Sequence, residues 1–327
     1  MSQNRNQAAQ TSNMSAAGFN DHALLAHVAR AHYIEDLSRI EIAEMLGISR
    51  FKVARLLTRA REEGVVTIQI NDRGLPDALL GERLREKLGL DSCLVVRSHG
   101  DEETVRQQIG AVAADLLSTT VNEGEVLGVS WGRTLTATTS QITHLPRVSI
   151  VQITGVVAGD IRSSPIEVAQ QVSRRSAGDV YPIFSPLFIQ DSTTAAALRA
   201  HPDIQAAMEH FPKLTTAILS VGSWDPTDSQ VKDVVSLDIL AAALAGGCVA
   251  DIAGILLDEN GVPVDRTLEE RCINISYEQL KAVPRVIAVA GGETKHRAVR
   301  AVARVGLITE LVTDHALAEA ILRDADD

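Results

Sequence analysis

The stretch GVSWGRTL at residues 128–135 combines residue types that can bind an anion. Its first two residues are the last two of the apolar run EVLGV, which is typical of a buried strand. Its second glycine, Gly132, marks the predicted start of a helix. Backbone N–H groups at such a helix start, the Thr134 hydroxyl and the Arg133 guanidinium would converge on a phosphate. A tight strand-to-helix turn needs glycine even without a ligand, so the pattern alone leaves both interpretations open.

The same letters contain GxSxG, the pattern of the nucleophile elbow in α/β hydrolases, with Ser130 as the nucleophile. That chemistry requires oxyanion donors, an acid and a histidine in order, and the sequence supplies no convincing set. We therefore expect no catalytic residue. The nine histidines show no HxH or HExxH spacing, so neither a metal site nor a cofactor is expected.

Two further polar residues are associated with apolar runs: Asp251 in CVADIAGILLD and Lys295 in AVAGGETKHR. A carboxylate beside a glycine-rich turn suits sugar hydroxyls. A lysine at a helix N-terminus opposes the helix dipole unless an anion offsets its charge. A capping role for Asp251 and an exposed surface position for Lys295 remain the alternatives.

From about residue 73 to residue 327, apolar strands alternate with helical segments. The predicted strands are CLVV, EVLGV, SIVQIT, AILSVG, CVADIAGILLD, RVIAVAGG and ELVTD. Because these runs lack polar alternation, they indicate strands buried on both faces, in a mainly parallel sheet covered by helices. Such a doubly wound α/β domain binds ligands beyond the carboxyl ends of its strands, where the residues named above fall.

Residues 21–72 are predicted to form a small helical domain, preceded by a disordered tail at residues 1–20. A first helix begins near His22, and its inward residues are Leu25, Val28 and Ala29. A second begins at the capping box SRIE, residues 38–41, and ends at Gly47. Its predicted inward residues are Ile40, Ala43 and Leu46. Only Ile48 separates Gly47 from Ser49, which can cap a third helix, and so short a turn is typical of helix-turn-helix geometry.

The third helix separates an apolar face from a basic one. Its inward residues are Val53, Leu56, Leu57 and Ala60, at helical spacing. A recognition helix presents cations to the major groove and its phosphates, and the candidate DNA contacts are Ser49, Arg50, Lys52, Arg55 and Arg59. A solvated basic face is the alternative for such a helix taken alone. The apolar run VVTIQI at residues 65–70 is interpreted as a wing beside this helix.

Charge also separates the two parts of the chain. From His22 to Arg61 there are seven Lys or Arg against four Asp or Glu, a local +3, so the remainder of the −11 chain carries −14. An acidic chain does not coat nucleic acid nonspecifically, but a basic domain at one end suits a polyanion. The three cysteines form no CxxC pair, and no run approaches the about 20 apolar residues of a membrane span. We expect a cytoplasmic protein without a membrane partner.

Four ordered motifs, which together span nearly the whole chain beyond residue 20, carry a family resemblance. They are IEIAEMLGISRFKVARLLTRAREEGVV, GVSWGRTL, DIAGILLDENGVPV and GGETKHRAVRAVARVGLITELVTDHALAEAIL. They resemble the SorC/DeoR family of bacterial sugar-responsive transcription regulators. The resemblance implies a winged helix-turn-helix, followed by a doubly wound α/β effector domain similar in fold to sugar-phosphate isomerases and deaminases.

The resemblance also implies partners and residue roles. It places Ser130, Gly132, Arg133 and Thr134 in a phosphate loop, and Asp251 and Lys295 among the effector contacts. Its implied partners are operator DNA, a sugar, sugar-phosphate or polyol effector, and further copies of the chain, usually in a tetramer. The rival hypothesis is a sugar-phosphate isomerase or deaminase with a fused DNA-binding domain, which would need a general base in the pocket.

Overall fold

The computed structural model describes residues 21–66, 76–157, 164–232 and 234–323. The chain divides into two compact units, with the boundary between Asn71 and Asp72. The tail predicted at residues 1–20 lies outside the described residues. Residues 67–70 of the predicted wing also lie outside the described residues, so only Val65 and Val66 of that run are described.

Three helices build the first unit: α1 (Asp21–Tyr33), α2 (Arg39–Leu46) and α3 (Arg50–Glu62). The predicted capping box is present, because the Glu41 N–H donates to Ser38 Oγ and the Ser38 N–H donates to the Glu41 carboxylate. Gly47 follows α2 in the left-handed conformation, with φ 65°. Ser49 caps α3, where its Oγ accepts a hydrogen bond from the Lys52 N–H. Local capping chemistry thus sets both ends of the turn between α2 and α3.

An apolar cluster between the three helices forms the core of this unit. The inward residues predicted for α1 and α3 are buried. The prediction for α2 is wrong at Ile40, which is exposed, whereas Ile42, Ala43 and Leu46 are buried. Ile40 precedes Ile42 by two residues, about 200° around a helix, so the two side chains leave opposite faces.

A ten-stranded sheet organises the second unit. Its strands are β1 (Ser92–Val96), β2 (Val126–Val129), β3 (Ser149–Gln152), β4 (Val180–Tyr181), β5 (Thr216–Trp224), β6 (Thr227–Asp228), β7 (Ala250–Ile252), β8 (Ile255–Leu257), β9 (Arg285–Val289) and β10 (Glu310–Asp314). Seven strands pair in parallel in the order β1-β10-β9-β5-β2-β3-β4. The predicted mainly parallel α/β sheet is confirmed.

Helices pack on both faces of this sheet. The helices of the second unit are α4 (Ala78–Leu88), α5 (Glu102–Thr120), α6 (Arg133–Gln141), α7 (Pro165–Ser176), α8 (Ser192–Arg199), α9 (Pro202–Met208), α10 (Leu237–Ala245), α11 (Arg266–Glu269), α12 (Tyr277–Lys281), α13 (His296–Arg304) and α14 (His315–Arg323). Along β5, Ala217 and Leu219 belong to one apolar cluster and Ile218 belongs to another. The first cluster includes α4, α13 and α14, and the second includes α5, α6 and α7. Burial on both faces explains why the strands lack polar alternation.

The run CVADIAGILLD is not another strand of the parallel sheet, and that prediction is wrong. It forms the antiparallel hairpin β7–β8, which turns at Ala253 and Gly254, both with positive φ (50° and 81°). The nine-residue β5 pairs with its parallel neighbours through Ser220, and beyond that point with β6 and β7 in antiparallel fashion. This antiparallel extension therefore stands at the carboxyl end of the parallel strands.

Candidate functional site

The central strands β2 and β5 are neighbours, and the chain leaves them in opposite directions. From β2 it continues to β3 and β4 on one side, and from β5 it continues to β9 and β10 on the other. The diverging loops open a crevice at this topological switch point, where open α/β sheets bind ligands. A polar cavity that is open to solvent lies here. All six predicted effector residues line it: Ser130, Gly132, Arg133, Thr134, Asp251 and Lys295.

The loop between β2 and α6 passes tightly against β5. Gly132 has φ 138°, and a Cβ at this position would lie 2.5 Å from Ser220 Oγ, so a larger residue does not fit. Trp131, buried in one apolar cluster with Trp224, anchors the loop. No side chain caps the start of α6. Because the first N–H groups of a helix lack an intrahelical acceptor, those of α6 remain for a ligand in the cavity.

Three hydroxyl-bearing residues lie near this helix start. Ser130 and Thr134 are only 2% and 7% exposed, and among the described residues the buried Ser220 Oγ has no hydrogen-bond partner. All three residues line the cavity. Leaving a buried polar group unpaired costs about 1–3 kcal/mol, so native proteins rarely do so without a reason. A ligand with several acceptor oxygens would satisfy these hydroxyls and the α6 N–H groups together.

Sequence reasoning missed Asp228, the residue on β6 that joins the cations of the cavity. Its carboxylate pairs with the Arg133 guanidinium and lies 3.4 Å from Lys295 Nζ. Burial favours the neutral acid, but Lys295 and Arg133 together outweigh it and hold the pKa of Asp228 below its ordinary value. The carboxylate is therefore ionised at neutral pH. Its segment, WDPTDSQ, has the composition of a polar loop, which gave no sign of a site residue. Asp228 lies at the cavity because β6 folds back antiparallel to β5.

Lys295 is buried, so its interpretation as an exposed surface lysine is wrong. It ends a short 3₁₀ turn (Glu293–Lys295) that precedes α13, and only 9% of it is exposed. Its Nζ donates to the Val221 carbonyl at 2.8 Å. Burial lowers the pKa of this ammonium group, and the neighbouring Asp228 opposes the effect. A buried cation fixed by a backbone carbonyl and one carboxylate is well placed to meet an anion.

Asp251 lies within β7 and is buried, so its interpretation as a helix cap is wrong. Its Oδ2 accepts hydrogen bonds from Trp224 Nε1, at 2.9 Å, and from the Ser229 hydroxyl. Burial raises the pKa of this carboxyl, and those two hydrogen bonds oppose the shift. A Cβ on Gly222 would collide with the carboxylate, so glycine makes room for it. Since both bonds end on Oδ2, Oδ1 remains for a ligand hydroxyl.

Three other cavity residues with polar side chains also escaped the sequence analysis: Arg106, Ser220 and Gln230. Arg106 of α5 pairs with Glu102 and Glu103 of the same helix, at 3.2 and 3.1 Å. Within the described ranges, no group of three or more His, Cys, Asp or Glu could hold a metal ion. No helix in those ranges is long and apolar enough to cross a membrane.

The predicted DNA contacts lie at the start and along the outer face of α3. Arg50, Lys52 and Arg55 are exposed, and Ser49 uses its hydroxyl oxygen as the helix cap. Arg59 differs from them, because its guanidinium pairs with Asp21 at 3.0 Å and Glu63 at 2.8 Å. Of the predicted contacts, the exposed cations therefore lie in the N-terminal half of the helix.

A helical unit with an exposed basic face and an α/β unit with a polar cavity at its switch point define a ligand-binding transcriptional regulator. Residues 75–323 match the family described as "Putative sugar-binding domain", and the chain belongs to this family. It is 28% identical to the transcriptional regulator YjhU of Escherichia coli K12, over 93% of this chain and 95% of that protein. It is 27% identical to the sorbitol operon regulator of Klebsiella pneumoniae, over 93% of this chain and 98% of that protein.

Solved structures agree on the fold. The crystal structure of the full-length sorbitol operon regulator SorC from Klebsiella pneumoniae matches with a TM-score of 0.70 and 24% identity, covering 93% of this chain and 99% of that one. The resemblance to the SorC/DeoR family is confirmed. The relatives are transcriptional regulators, so the interpretation as a regulator rather than an enzyme is confirmed as well.

Proposed function

We propose that this chain binds operator DNA through α3, and that a phosphorylated sugar or polyol bound in the switch-point cavity controls that binding. The observation that carries the effector class is the uncapped start of α6 beside the unpartnered Ser220 hydroxyl, in a cavity that the hydroxyl residues Ser130 and Thr134 also line. A phosphate offers acceptor oxygens for these donors, and the cationic side chains of Arg133 and Lys295 line the same cavity. The name of the sorbitol operon regulator supports a carbohydrate as the remainder of the molecule.

Each cavity residue has a distinct part in this proposal. The phosphate accepts hydrogen bonds from the α6 N–H groups and from the Ser130 and Thr134 hydroxyls, where Gly132 allows close approach. Arg133 and Lys295 neutralise its charge. Asp251 accepts a hydrogen bond from a sugar hydroxyl through Oδ1, the oxygen that Trp224 and Ser229 leave open.

A calorimetric comparison tests the phosphate assignment. A thermal-shift screen of sugars, polyols and their phosphates first identifies a ligand, because a ligand of the folded state raises Tm. Thr134→Ala should then weaken the phosphorylated form about tenfold or more, by removing a charge-assisted hydrogen bond, and leave the unphosphorylated form nearly unchanged. Thr119→Ala is the control, because that exposed hydroxyl bonds only to its own helix α5. Equal losses of affinity for the phosphorylated and unphosphorylated forms would show that the loop does not bind the phosphate group.

For the DNA-binding part, we propose a winged helix-turn-helix at residues 21–72, with residues 73–327 as effector and oligomerisation domain. Ser49, Arg50, Lys52 and Arg55 would contact bases and phosphates from the start of α3. Arg59 would reach a flanking phosphate only by exchanging its acidic partners within the unit. Paired half-sites require at least a dimer, and a tetramer working in the cytoplasm, where operators lie, is the assembly we propose.

The salt dependence of DNA binding tests this surface. Arg55→Ala should weaken binding to operator DNA and reduce the slope of log K against log salt by about one. Arg85→Ala, which removes a half-buried arginine paired with Glu82 on α4, is the charge-matched control. An unchanged slope for Arg55→Ala, or an equal change in both variants, would contradict the placement of α3 on DNA.

A further inference from the structure

The first turn of α3 carries an aromatic side chain that the fold does not use. Phe51 is 68% exposed, whereas the core face of the helix consists of Val53, Leu56, Leu57 and Ala60. Phe51 precedes Val53 by two residues and so leaves the opposite side of the helix. Isolated exposed apolar residues are common on proteins, so exposure alone assigns no role. The surroundings of this ring are what distinguish it.

Cationic side chains surround Phe51. The Arg50 guanidinium carbon lies 5.0 Å from the ring centroid, within the range of a cation–π contact. Arg55 is four residues further on, so the two side chains share one stripe of the helix. Lys52 follows Phe51 directly and is also exposed. An apolar ring inside a positively charged surface suits a polyanion that also presents an apolar group, and it disfavours a second copy of the same surface.

Duplex DNA is such a partner, and only one of its bases fits. Among the four bases, thymine alone shows an apolar substituent, the C5-methyl group, on the major-groove edge. Residues at the N-terminal end of a recognition helix are those that reach base edges. We propose that Phe51 packs against a thymine methyl in the major groove and specifies that base. The inference rests on the proposed docking of α3 and goes beyond it, because it names a base that the cations cannot select.

Deoxyuridine gives a direct test, because it differs from thymidine only by the missing methyl group. Full-length protein would enrich duplexes from a random pool, and each thymine of an enriched duplex would be replaced in turn by deoxyuridine. Affinity would be measured by fluorescence anisotropy at fixed salt. At one thymine or more per half-site, the replacement should weaken wild-type binding about fourfold, the effect of burying one methyl group.

The variant Phe51→Ala separates a methyl contact from a general effect. This variant should bind the enriched duplex about tenfold more weakly than wild type. Replacing the critical thymine with deoxyuridine should then weaken its binding by less than a further twofold, because the ring that touched the methyl is gone. Phe51→Leu, which keeps an apolar contact, should retain sensitivity to the methyl group. Ile34→Ala, an exposed apolar truncation elsewhere in the unit, should change neither value. Since Phe51 is exposed, its truncation should leave Tm unchanged.

Three results would overturn the inference. One is an enriched duplex in which replacing any thymine with deoxyuridine leaves the affinity unchanged. Another is an equal loss of affinity on this replacement in wild type and Phe51→Ala. The third is a Phe51→Ala variant that binds DNA normally but changes its oligomeric mass in light scattering, which would make the ring a protein contact. Failure to enrich any sequence would instead contradict the proposed function itself.

Discussion

Replacing Asp228 with asparagine should strengthen the binding of phosphate to the cavity. The Asp228 carboxylate pairs with Arg133 and lies 3.4 Å from Lys295 Nζ. A phosphate that uses these cations must first displace it. Asparagine has nearly the same shape but no charge, so in the variant the phosphate forms its ion pairs without competition.

The size of the effect follows from the exposure of the groups. Two unit charges about 4 Å apart attract by about 4 kcal/mol at an effective dielectric constant of about 20, whereas exposed ion pairs contribute at most about 1 kcal/mol. The cavity lies between these limits, because Lys295 is buried and the Arg133 side chain is 42% exposed. We expect binding to be tighter by about 1.4–2.8 kcal/mol, which corresponds to about 10- to 100-fold in Kd.

Isothermal titration calorimetry with inorganic phosphate measures this change directly, at low ionic strength and neutral pH. Asp225→Asn is the matched control, because Asp225 lies on the same hairpin but pairs with Arg297 at 2.7 Å, outside the cavity. The control should bind phosphate as wild type does. Weaker binding by Asp228→Asn would refute the reasoning, since it would mean that the carboxylate helps to hold the ligand. An equal gain in both variants would point to a general change in net charge.

Three further outcomes follow from the same geometry. Gly132→Ala should lose phosphate binding by more than tenfold in calorimetry, because its Cβ would meet Ser220 Oγ at 2.5 Å where φ is 138°; unchanged affinity would contradict the tight loop. Burial raises the pKa of the thiols of Cys93, Cys248 and Cys272 to about 12, so Ellman's reagent should label them slowly in the native protein. After unfolding, all three thiols should react. Rapid native labelling would contradict their burial. Because the folded pKa of Asp228 is depressed, its contribution to stability is present above the unfolded value of about 3.9 and lost as pH falls through the folded value. The difference in Tm between wild type and Asp228→Asn should therefore shrink below about pH 4, and a constant difference would exclude the ion pair.

Local signals in the sequence predicted the elements that depend on local physics. The capping box at Ser38, the left-handed Gly47 and the cap at Ser49 all depend on neighbours within four residues, and all are present. Six of the seven strands of the parallel sheet were equally visible, since burial on both faces leaves runs without polar alternation. The two-residue β4 was not predicted. The loop at Gly132 was predicted to follow the carboxyl end of a strand, where such sheets bind ligands.

The features that escaped prediction depend on contacts between distant segments. Asp251 and its neighbours looked like one more parallel strand, because a short antiparallel hairpin buried on both sides has the same apolar composition. Asp228 carried no local signal at all, since its importance arises only where β6 brings it to Arg133 and Lys295. Ile40 was assigned inward from a three-residue spacing, which two different helix faces can satisfy in so short a helix.

The internal ion pairs also bear on how the cavity could act as a switch. A ligand shifts a conformational equilibrium only by the difference in its affinity for the two states. A state with Asp228 withdrawn from the cavity would lose the ion pairs to Arg133 and Lys295, which a bound anion would replace and a neutral polyol would not. A neutral ligand that binds both states equally would leave their populations unchanged, however tightly it bound. Under the proposed function, displacement of this carboxylate is the reason to expect a phosphorylated effector, rather than the free sugar, to act as the signal.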